Sequence, residues 1–278
     1  MHQMKVPWLT KKSIAAAATD VITEYETKMR RRVQPPIPVE KIIERGLNLS
    51  LGFYDLRKKL KLDDVLGATY VDEKIICVDS SLTENQNEGR LCFTFAHEAG
   101  HWVLHRKLVG QACRTVEDHT SIRLCRPELK STVPNKFESD LGQSLKSAGY
   151  GVIGPNALQD HIGGFIFCRV RDAKKPIEWQ ADYFASCMLM PEAAVKAAYC
   201  QCYGSKPLML YNVKSAFAGP LCFDPCVENW PKIAGAVKEA GGFSNVSKQA
   251  MIIRLQELGL VKNETQARLS WRESYVTA

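Results

Sequence analysis

Residues 92–105 carry the sequence CFTFAHEAGHWVLH. They belong to a longer segment, from Gly89 to about Arg106, whose apolar side chains would fall on every face of a helix. A helix that is apolar all round is typical of a protein interior. The sequence therefore predicts a buried helix, and the polar side chains within it need a partner or a function: His97, Glu98, His101 and His105.

Three of these polar residues form an HExxH motif, His97-Glu98-Ala99-Gly100-His101. Residues four apart on a helix lie one turn above each other, so both imidazoles can reach one metal ion. Glu98 lies one step round the helix, where its carboxylate can hold a metal-bound water without being a ligand. The alternative is a pair of core histidines satisfied by hydrogen bonds, but it leaves the neighbouring carboxylate unexplained. We therefore predict that His97 and His101 bind a metal ion.

A catalytic zinc site usually takes three protein ligands and leaves one position to water. The metzincin pattern would supply a histidine ten residues after His97 and a glycine after seven. Lys107 and Leu104 occupy those positions, so that class is excluded. His105 lies two turns beyond His97, about 12 Å along the helix axis. We expect it to cap or pack rather than to share the ion.

A second helix, predicted from Glu178 to Leu189, offers the third ligand. Glu178 and Asp182 are four residues apart and share one face. This spacing suits a carboxylate ligand together with a second carboxylate that holds the far nitrogen of a ligand histidine. The alternative is an exposed acidic face near a helix N-terminus, which the helix dipole favours. Beside an HExxH motif, the need for one more anionic ligand favours the metal interpretation.

Apolar periodicity elsewhere predicts both helices and strands. The predicted helices are 14–29 with Ser13 as N-cap, a short helix from about Val39 to Gly46, 192–203, and two in the tail separated by residues 241–244. The predicted strands are 47–53, a hairpin of 65–71 with 75–78, and 165–170. Residues 108–160 read as an irregular insertion, and the stretch from 204 to Pro231 as loop-rich.

The N-terminus lacks the apolar segment and the small-residue cleavage site of a secretory signal. No uninterrupted run of 18 apolar residues occurs, so no transmembrane helix is expected. We therefore expect a cytoplasmic protein with no membrane partner. The formal net charge of +7 is compatible with nucleic acid but does not argue for it.

Ten cysteines are expected as reduced thiols in that compartment. Two close pairs could form a four-thiolate zinc site, although neither has the usual two-residue spacing. This second metal site is left open, and its four cysteines are Cys200, Cys202, Cys222 and Cys226.

Two motifs and a weaker third resemble the ImmA/IrrE family of metallopeptidases, zincins whose best-known members cleave helix-turn-helix repressors. Residues 92–101 with Leu104-His105 resemble the family's active-site helix, and Glu178–Phe184 with Leu189-Met190-Pro191 its second motif. The tail segments 243–247 and 254–260 resemble its helical appendage. The resemblance spans about residues 13 to 262. The segment between His101 and Glu178 is longer than in the compact members.

The resemblance implies His97, His101 and Glu178 as metal ligands, Glu98 as general acid and base, and Asp182 as the carboxylate behind a ligand histidine. It also implies an α+β fold. A zincin-like domain, with a small mixed sheet packed on the two ligand helices, would be followed by a small helical domain. The expected ranges are an N-terminal helix and proline-rich connector (1–37), a metallopeptidase domain with an insertion at about 108–160 (38–203), and a helical, helix-turn-helix-like appendage (204–278).

The expected activity is zinc-dependent hydrolysis of a peptide bond in a protein substrate, by family resemblance a helix-turn-helix repressor. Manganese is the alternative metal, since two histidines and a glutamate suit both ions. An oxyanion donor is expected, with His161 and Tyr183 as candidates by residue type only. The sequence assigns no residue to substrate binding.

A different class of function stays open, a protease-like sensor without catalysis, or a DNA- or protein-binding regulatory module. Residues 243–278 hold five basic and three acidic side chains. This excess of positive charge is small for a DNA-binding domain. Nucleoside deamination would need a Pro-Cys-x-x-Cys segment, and the residues after Pro225-Cys226 do not provide it.

Overall fold

Helices and strands both occur in the computed structural model, which describes residues 6–60, 65–83, 88–116, 165–169, 176–210 and 225–263. The chain is therefore of the α+β class, as predicted. The helices are α1 (Lys11–Met29), α2 (Val39–Lys41, continued by a π-helical turn Ile42–Gly46), α3 (Leu56–Leu60), α4 (Glu88–Val116), α5 (Pro176–Leu189), α6 (Glu192–Tyr203), α7 (Pro225–Ala240) and α8 (Lys248–Glu257). The strands are β1 (Ser50–Tyr54), β2 (Val65–Tyr70), β3 (Ile75–Asp79), β4 (Phe165–Arg169), β5 (Leu208–Leu210) and β6 (Val261–Asn263).

Four strands form a mixed sheet in the order β1-β3-β2-β4. Strands β2 and β3 make the predicted antiparallel hairpin, in which Gly67 pairs with Val78 and Tyr70 with Ile75. Strand β1 adds parallel to β3, and β4 adds antiparallel to β2. Every residue of β3 is buried, as expected of a central strand that is covered on both faces.

Helix α4 lies against the sheet and crosses α5 at Gly100. A Cβ atom placed on Gly100 would lie 3.2 Å from Ala181 Cα and 3.3 Å from the Ala181 carbonyl oxygen. Glycine at this position therefore lets the two helix backbones approach closely. Phe95, one turn earlier, is fully buried and makes an edge-to-face contact with Phe53 of β1 at 5.7 Å. This crossing places the HExxH segment beside the first turns of α5.

The observed start of helix α1 differs from the prediction. Helix α1 begins at Lys11, and Thr10 rather than Ser13 is its N-cap, since Thr10 Oγ1 accepts a hydrogen bond from the Ser13 amide at 3.1 Å. The apolar period starts only at Ile14, so it could not reveal the polar first turn. The helical segment after Val39 ends at Gly46 as predicted, but the residue with positive φ that follows it is Asn48.

The predicted loop up to Pro231 is wrong in its last part, because α7 begins at Pro225 and runs through Pro231. Proline inside a helix removes a backbone donor, which lowers the stability of the helix. Burial of an apolar stripe at helical spacing outweighs it: Trp230, Ile233, Ala234 and Val237. The pattern predicted neither of the three-residue strands β5 and β6, which pair in parallel. The prediction of an irregular insertion at about 108–160 is wrong at its start, because α4 continues to Val116. The rest of the insertion lies outside the described residues.

The described residues belong to two compact units. One lies within Met1–Val33 and Pro38–Leu189, and the other within Gln34–Ile37 and Met190–Ala278. The first unit contains α1 to α5 and the four-stranded sheet. The predicted ranges 1–37, 38–203 and 204–278 remain a prediction. No helix in the described part of the chain is long and apolar enough to cross a membrane.

The second unit contains α6, α7, α8 and the β5–β6 pair, and the two predicted tail helices are confirmed as α7 and α8. Ser247 caps α8 by accepting a hydrogen bond from the Ala250 amide at 3.0 Å. The buried Asn245 side chain donates to the Ile37 carbonyl at 2.9 Å, which ties the proline-rich connector to this unit.

Candidate metal centre

The two histidines of the HExxH motif lie side by side on α4. His97 and His101 are 3% and 0% exposed, and their Nε2 atoms are 3.0 Å apart. The helical spacing of four residues brings the rings to a centroid separation of 4.7 Å. The structure thus brings together the two imidazoles that the motif predicted.

Glu178, in the first turn of α5, completes a group of three. Its Oε2 atom lies 3.2 Å from His97 Nε2 and 3.5 Å from His101 Nε2. The three residues are buried, and their ligand atoms lie within 4.8 Å of one another. Within the described ranges, no second cluster of three histidine, cysteine or acidic side chains has this arrangement. A buried His-His-Glu group of this kind could hold a metal ion.

Asp182 sets the ring orientation of His97. Its Oδ1 atom lies 2.8 Å from His97 Nδ1. An ionised carboxylate only accepts hydrogen bonds, so His97 donates from Nδ1 and presents a lone pair at Nε2. Asp182 thus contacts the nitrogen of His97 that faces away from Glu178, and its role behind a metal ligand stays a prediction.

The spacing of the three ligand atoms suits zinc. Bonds of about 2.0–2.1 Å in a tetrahedron place neighbouring ligand atoms about 3.3–3.4 Å apart. The three observed separations, 3.0, 3.2 and 3.5 Å, bracket that value. Two nitrogens and one oxygen are also a typical donor set for zinc, whereas magnesium and calcium prefer oxygen ligands alone.

The ionisation states of two of these groups are those that a metal ion requires. Burial lowers the pKa of His101 to about 4, which keeps its imidazole neutral at pH 7. Burial would raise the pKa of Glu178, but the contacts of its carboxylate with His101 and His97 outweigh burial and lower that pKa to about 2. A neutral imidazole and an ionised carboxylate are the metal-binding forms.

Glu98 is fully buried between α4 and strand β2. Its Oε2 atom accepts a hydrogen bond from the Thr69 hydroxyl at 2.6 Å, whereas Oε1 has no hydrogen-bond partner among the described residues. Burial raises its pKa to about 8, although His97 and the Thr69 hydrogen bond oppose the shift. A carboxyl group with a pKa near neutrality and one unpartnered oxygen can accept and return a proton.

Gly67 of β2 leaves the space that the Glu98 carboxylate occupies. A Cβ atom on residue 67 would lie 2.4 Å from Glu98 Oε1, far inside contact distance. We expect Gly67→Ala to lower the free energy of unfolding by about 1–3 kcal/mol, the usual cost of overpacking. Urea unfolding of the variant and the wild type measures the difference.

The same substitution in a Glu98→Ala background provides the control. Without the Glu98 side chain the added methyl group has room, so the cost of Gly67→Ala should largely disappear. Equal costs in both backgrounds would show that the methyl group clashes with something other than the Glu98 carboxylate.

Sequence reasoning missed several residues around the site. Thr69 is one of them, and its polar side chain in the apolar strand Val65–Tyr70 was the signal that could have indicated a role at the site. His105, which was predicted to cap or pack rather than to share the ion, is buried, and its Nδ1 atom lies 3.0 Å from His101 Nδ1. Of the two oxyanion candidates, His161 lies outside the described residues, and Tyr183 stacks on Trp179 at 5.8 Å.

The second metal site that the sequence left open would be formed by two pairs of cysteines. Cys200 and Cys202 are exposed free thiols, while Cys222 lies outside the described residues. The four-thiolate site stays a prediction.

No protein-family model matches the chain, and no curated protein sequence is significantly similar to it. The interpretation of the site therefore depends on the geometry and chemistry of its own side chains.

Proposed function

We propose that this protein is a zinc-dependent endopeptidase of the zincin type, which hydrolyses a peptide bond in a protein substrate. One observation carries the proposal. A His-His-Glu group with the ligand spacing of zinc lies next in the chain to a buried carboxylate, Glu98, that has one unpartnered oxygen. A purely structural metal site has no need of such a carboxylate, because it is closed by a fourth protein ligand.

His97, His101 and Glu178 would hold the metal, which when bound supplies Lewis-acid activation of a water molecule and of the substrate carbonyl. Glu98 accepts the proton of the attacking water through Oε1, as oxygen bonds to the carbonyl carbon. It then donates that proton to the departing amine nitrogen as the carbon–nitrogen bond breaks. Thr69 holds the other carboxylate oxygen, which orients Oε1 for both transfers.

Zinc is the preferred ion of the proposal because of the donor set and the ligand spacing, and manganese is the alternative. The resemblance of the sequence to the ImmA/IrrE family supports a helix-turn-helix repressor as the substrate and a cytoplasmic location. The active-site helix and the second ligand helix would then be the two helices of a zincin-like domain.

The test is cleavage of a helix-turn-helix repressor encoded beside this chain's gene. We expect the zinc-loaded protein to cut it at a defined bond, detected by gel and mass spectrometry. A chelator should abolish cleavage, and added zinc should restore it, because the activated water depends on the ion.

Cleavage that persists in chelator would contradict a metallopeptidase. Binding of the repressor without cleavage, by a protein with about one zinc per chain, would favour the non-catalytic sensor. Binding of the repressor's DNA site instead would favour the DNA-binding regulatory module.

A further inference from the structure

A continuous chain of hydrogen bonds begins at the far ring nitrogen of His101. His101 Nδ1 lies 3.0 Å from His105 Nδ1, and His105 Nε2 lies 2.9 Å from Gln180 Oε1. The Gln180 amide nitrogen in turn donates to the Pro7 carbonyl oxygen at 2.9 Å. The chain thus runs from a candidate metal ligand on α4, across α5, to the backbone that precedes α1.

The Pro7 carbonyl sets the direction of every bond in this chain. A carbonyl oxygen only accepts, so the amide nitrogen of Gln180 must face it, and Oε1 must face His105. His105 therefore donates from Nε2, and in the neutral ring its Nδ1 accepts. His101 must then donate from Nδ1, which leaves the lone pair of its Nε2 directed at His97 and Glu178.

The two ligand histidines are thus oriented by different means. His97 is held by a carboxylate, Asp182, whereas His101 is held by a neutral imidazole. His101, His105 and Gln180 are each at most 1% exposed. Water is therefore a poor substitute for any of these partners, and a ring turned to the other tautomer would leave a buried donor or acceptor unsatisfied.

The end of the chain is held in place by aromatic stacking. Trp8 follows Pro7 and stacks on Trp179 of α5, with centroids 5.3 Å apart and planes at 4°. Thr10 then caps α1. Two contacts therefore hold the Pro7 carbonyl in place: the stacking of its chain neighbour Trp8 on Trp179, and the hydrogen bond from Gln180.

We propose that His105 and Gln180 are positioning residues of the metal centre, which fix His101 in the tautomer that offers Nε2 to the ion, and that the Pro7 carbonyl anchors them. The proposal deepens the proposed function and rests on it only in requiring that this site bind a metal. No proton is transferred along the chain in this role.

The decisive variant is Gln180→Met, which keeps the length of the side chain and removes both of its hydrogen bonds. We expect the affinity for zinc, measured by competition with a chromophoric chelator, to fall about 10- to 100-fold, the usual loss when a partner behind a ligand is removed. Gln201→Met makes the same change at an exposed site on α6 and should leave the affinity unchanged.

A second pair of variants tests the chain at His105. In His105→Asn, Oδ1 stands where Nδ1 stood and can still accept from His101, so zinc affinity should stay within a few-fold of wild type. His105→Leu has no acceptor and should lose about 10- to 100-fold. Equal losses in the two variants would overturn the proposed role of His105.

Nitrogen-15 NMR of the histidine side chains in the zinc-loaded wild type identifies the tautomers without any substitution. We expect His101 to carry its hydrogen on Nδ1 and His105 on Nε2. A His101 ring with its hydrogen on Nε2, or Gln180→Met with wild-type affinity and tautomers, would overturn the proposal. So would a wild type that binds no zinc.

Neither measurement needs a substrate. A protein that shows these tautomers and binds zinc but cuts no repressor would contradict the peptidase and still support the positioning role. A protein that cuts the repressor while His101 adopts the other tautomer would support the peptidase and contradict the positioning role.

Discussion

Glu98→Gln should lower the turnover of a protein substrate at least 10²-fold, up to about 10⁴-fold, while zinc content stays close to that of wild type. A positioned general base contributes a factor of this size, and the Gln amide cannot accept the proton of the attacking water. The fold should tolerate the change, because the neutral amide can still accept the Thr69 hydrogen bond with its oxygen. Burial already raises the pKa of Glu98 to about 8, so a neutral group suits this site.

The measurements are initial rates of repressor cleavage, elemental analysis and thermal unfolding of the same preparations. Glu40→Gln is the matched control, since burial also raises the pKa of this carboxyl group and Cys92 of α4 contacts it at 3.8 Å. Glu40 lies outside the His-His-Glu group, so its variant should keep wild-type turnover. A Glu98→Gln protein that cleaves as fast as the Glu40→Gln protein would rule out the proposed mechanism.

The part of the site that lies on α4 could be predicted because helix geometry is local. A spacing of four residues places His97 and His101 on one face whatever surrounds them. Glu178 could be proposed from chemistry, since the site required a third, anionic ligand. Its position beside the histidines depends on the close crossing at Gly100 and Ala181, which no single-helix pattern contains.

The partners of Glu98 and His101 could not be predicted in this way. Thr69 is 29 residues from Glu98 along the chain, and Gln180 is 173 residues from Pro7. These contacts exist only after the sheet and helices have packed. Two weak signals remain in the sequence, namely the polar Thr69 in an apolar strand and Gln180 between Glu178 and Asp182. Neither signal indicates which residue the polar side chain contacts.

A large loss of metal is expected from His97→Ala. Removing a partner behind a ligand costs about 10- to 100-fold in metal affinity, so removing a ligand itself should cost more than 100-fold. We expect the zinc content after purification to fall from about one per chain to nearly none, as measured by elemental analysis. Equal zinc in His97→Ala and wild type would exclude His97 as a ligand.

Glu178→Gln separates a metal ligand from a side chain that only favours a helix N-terminus. Both interpretations place an acidic residue in the first turn of α5, and Glu192 occupies the equivalent turn of α6. A residue that interacts only with the helix dipole contributes about 0.3–1 kcal/mol, so under that interpretation Glu178→Gln and Glu192→Gln should both retain zinc. If Glu178 binds the ion, exchanging the anion for a neutral amide should lower zinc affinity by more than 100-fold, whereas Glu192→Gln should not change it. Competition with a chelator measures the zinc affinity of the two variants side by side. Equal affinities would contradict a His-His-Glu site, because the centre would then have two histidines and no anionic ligand.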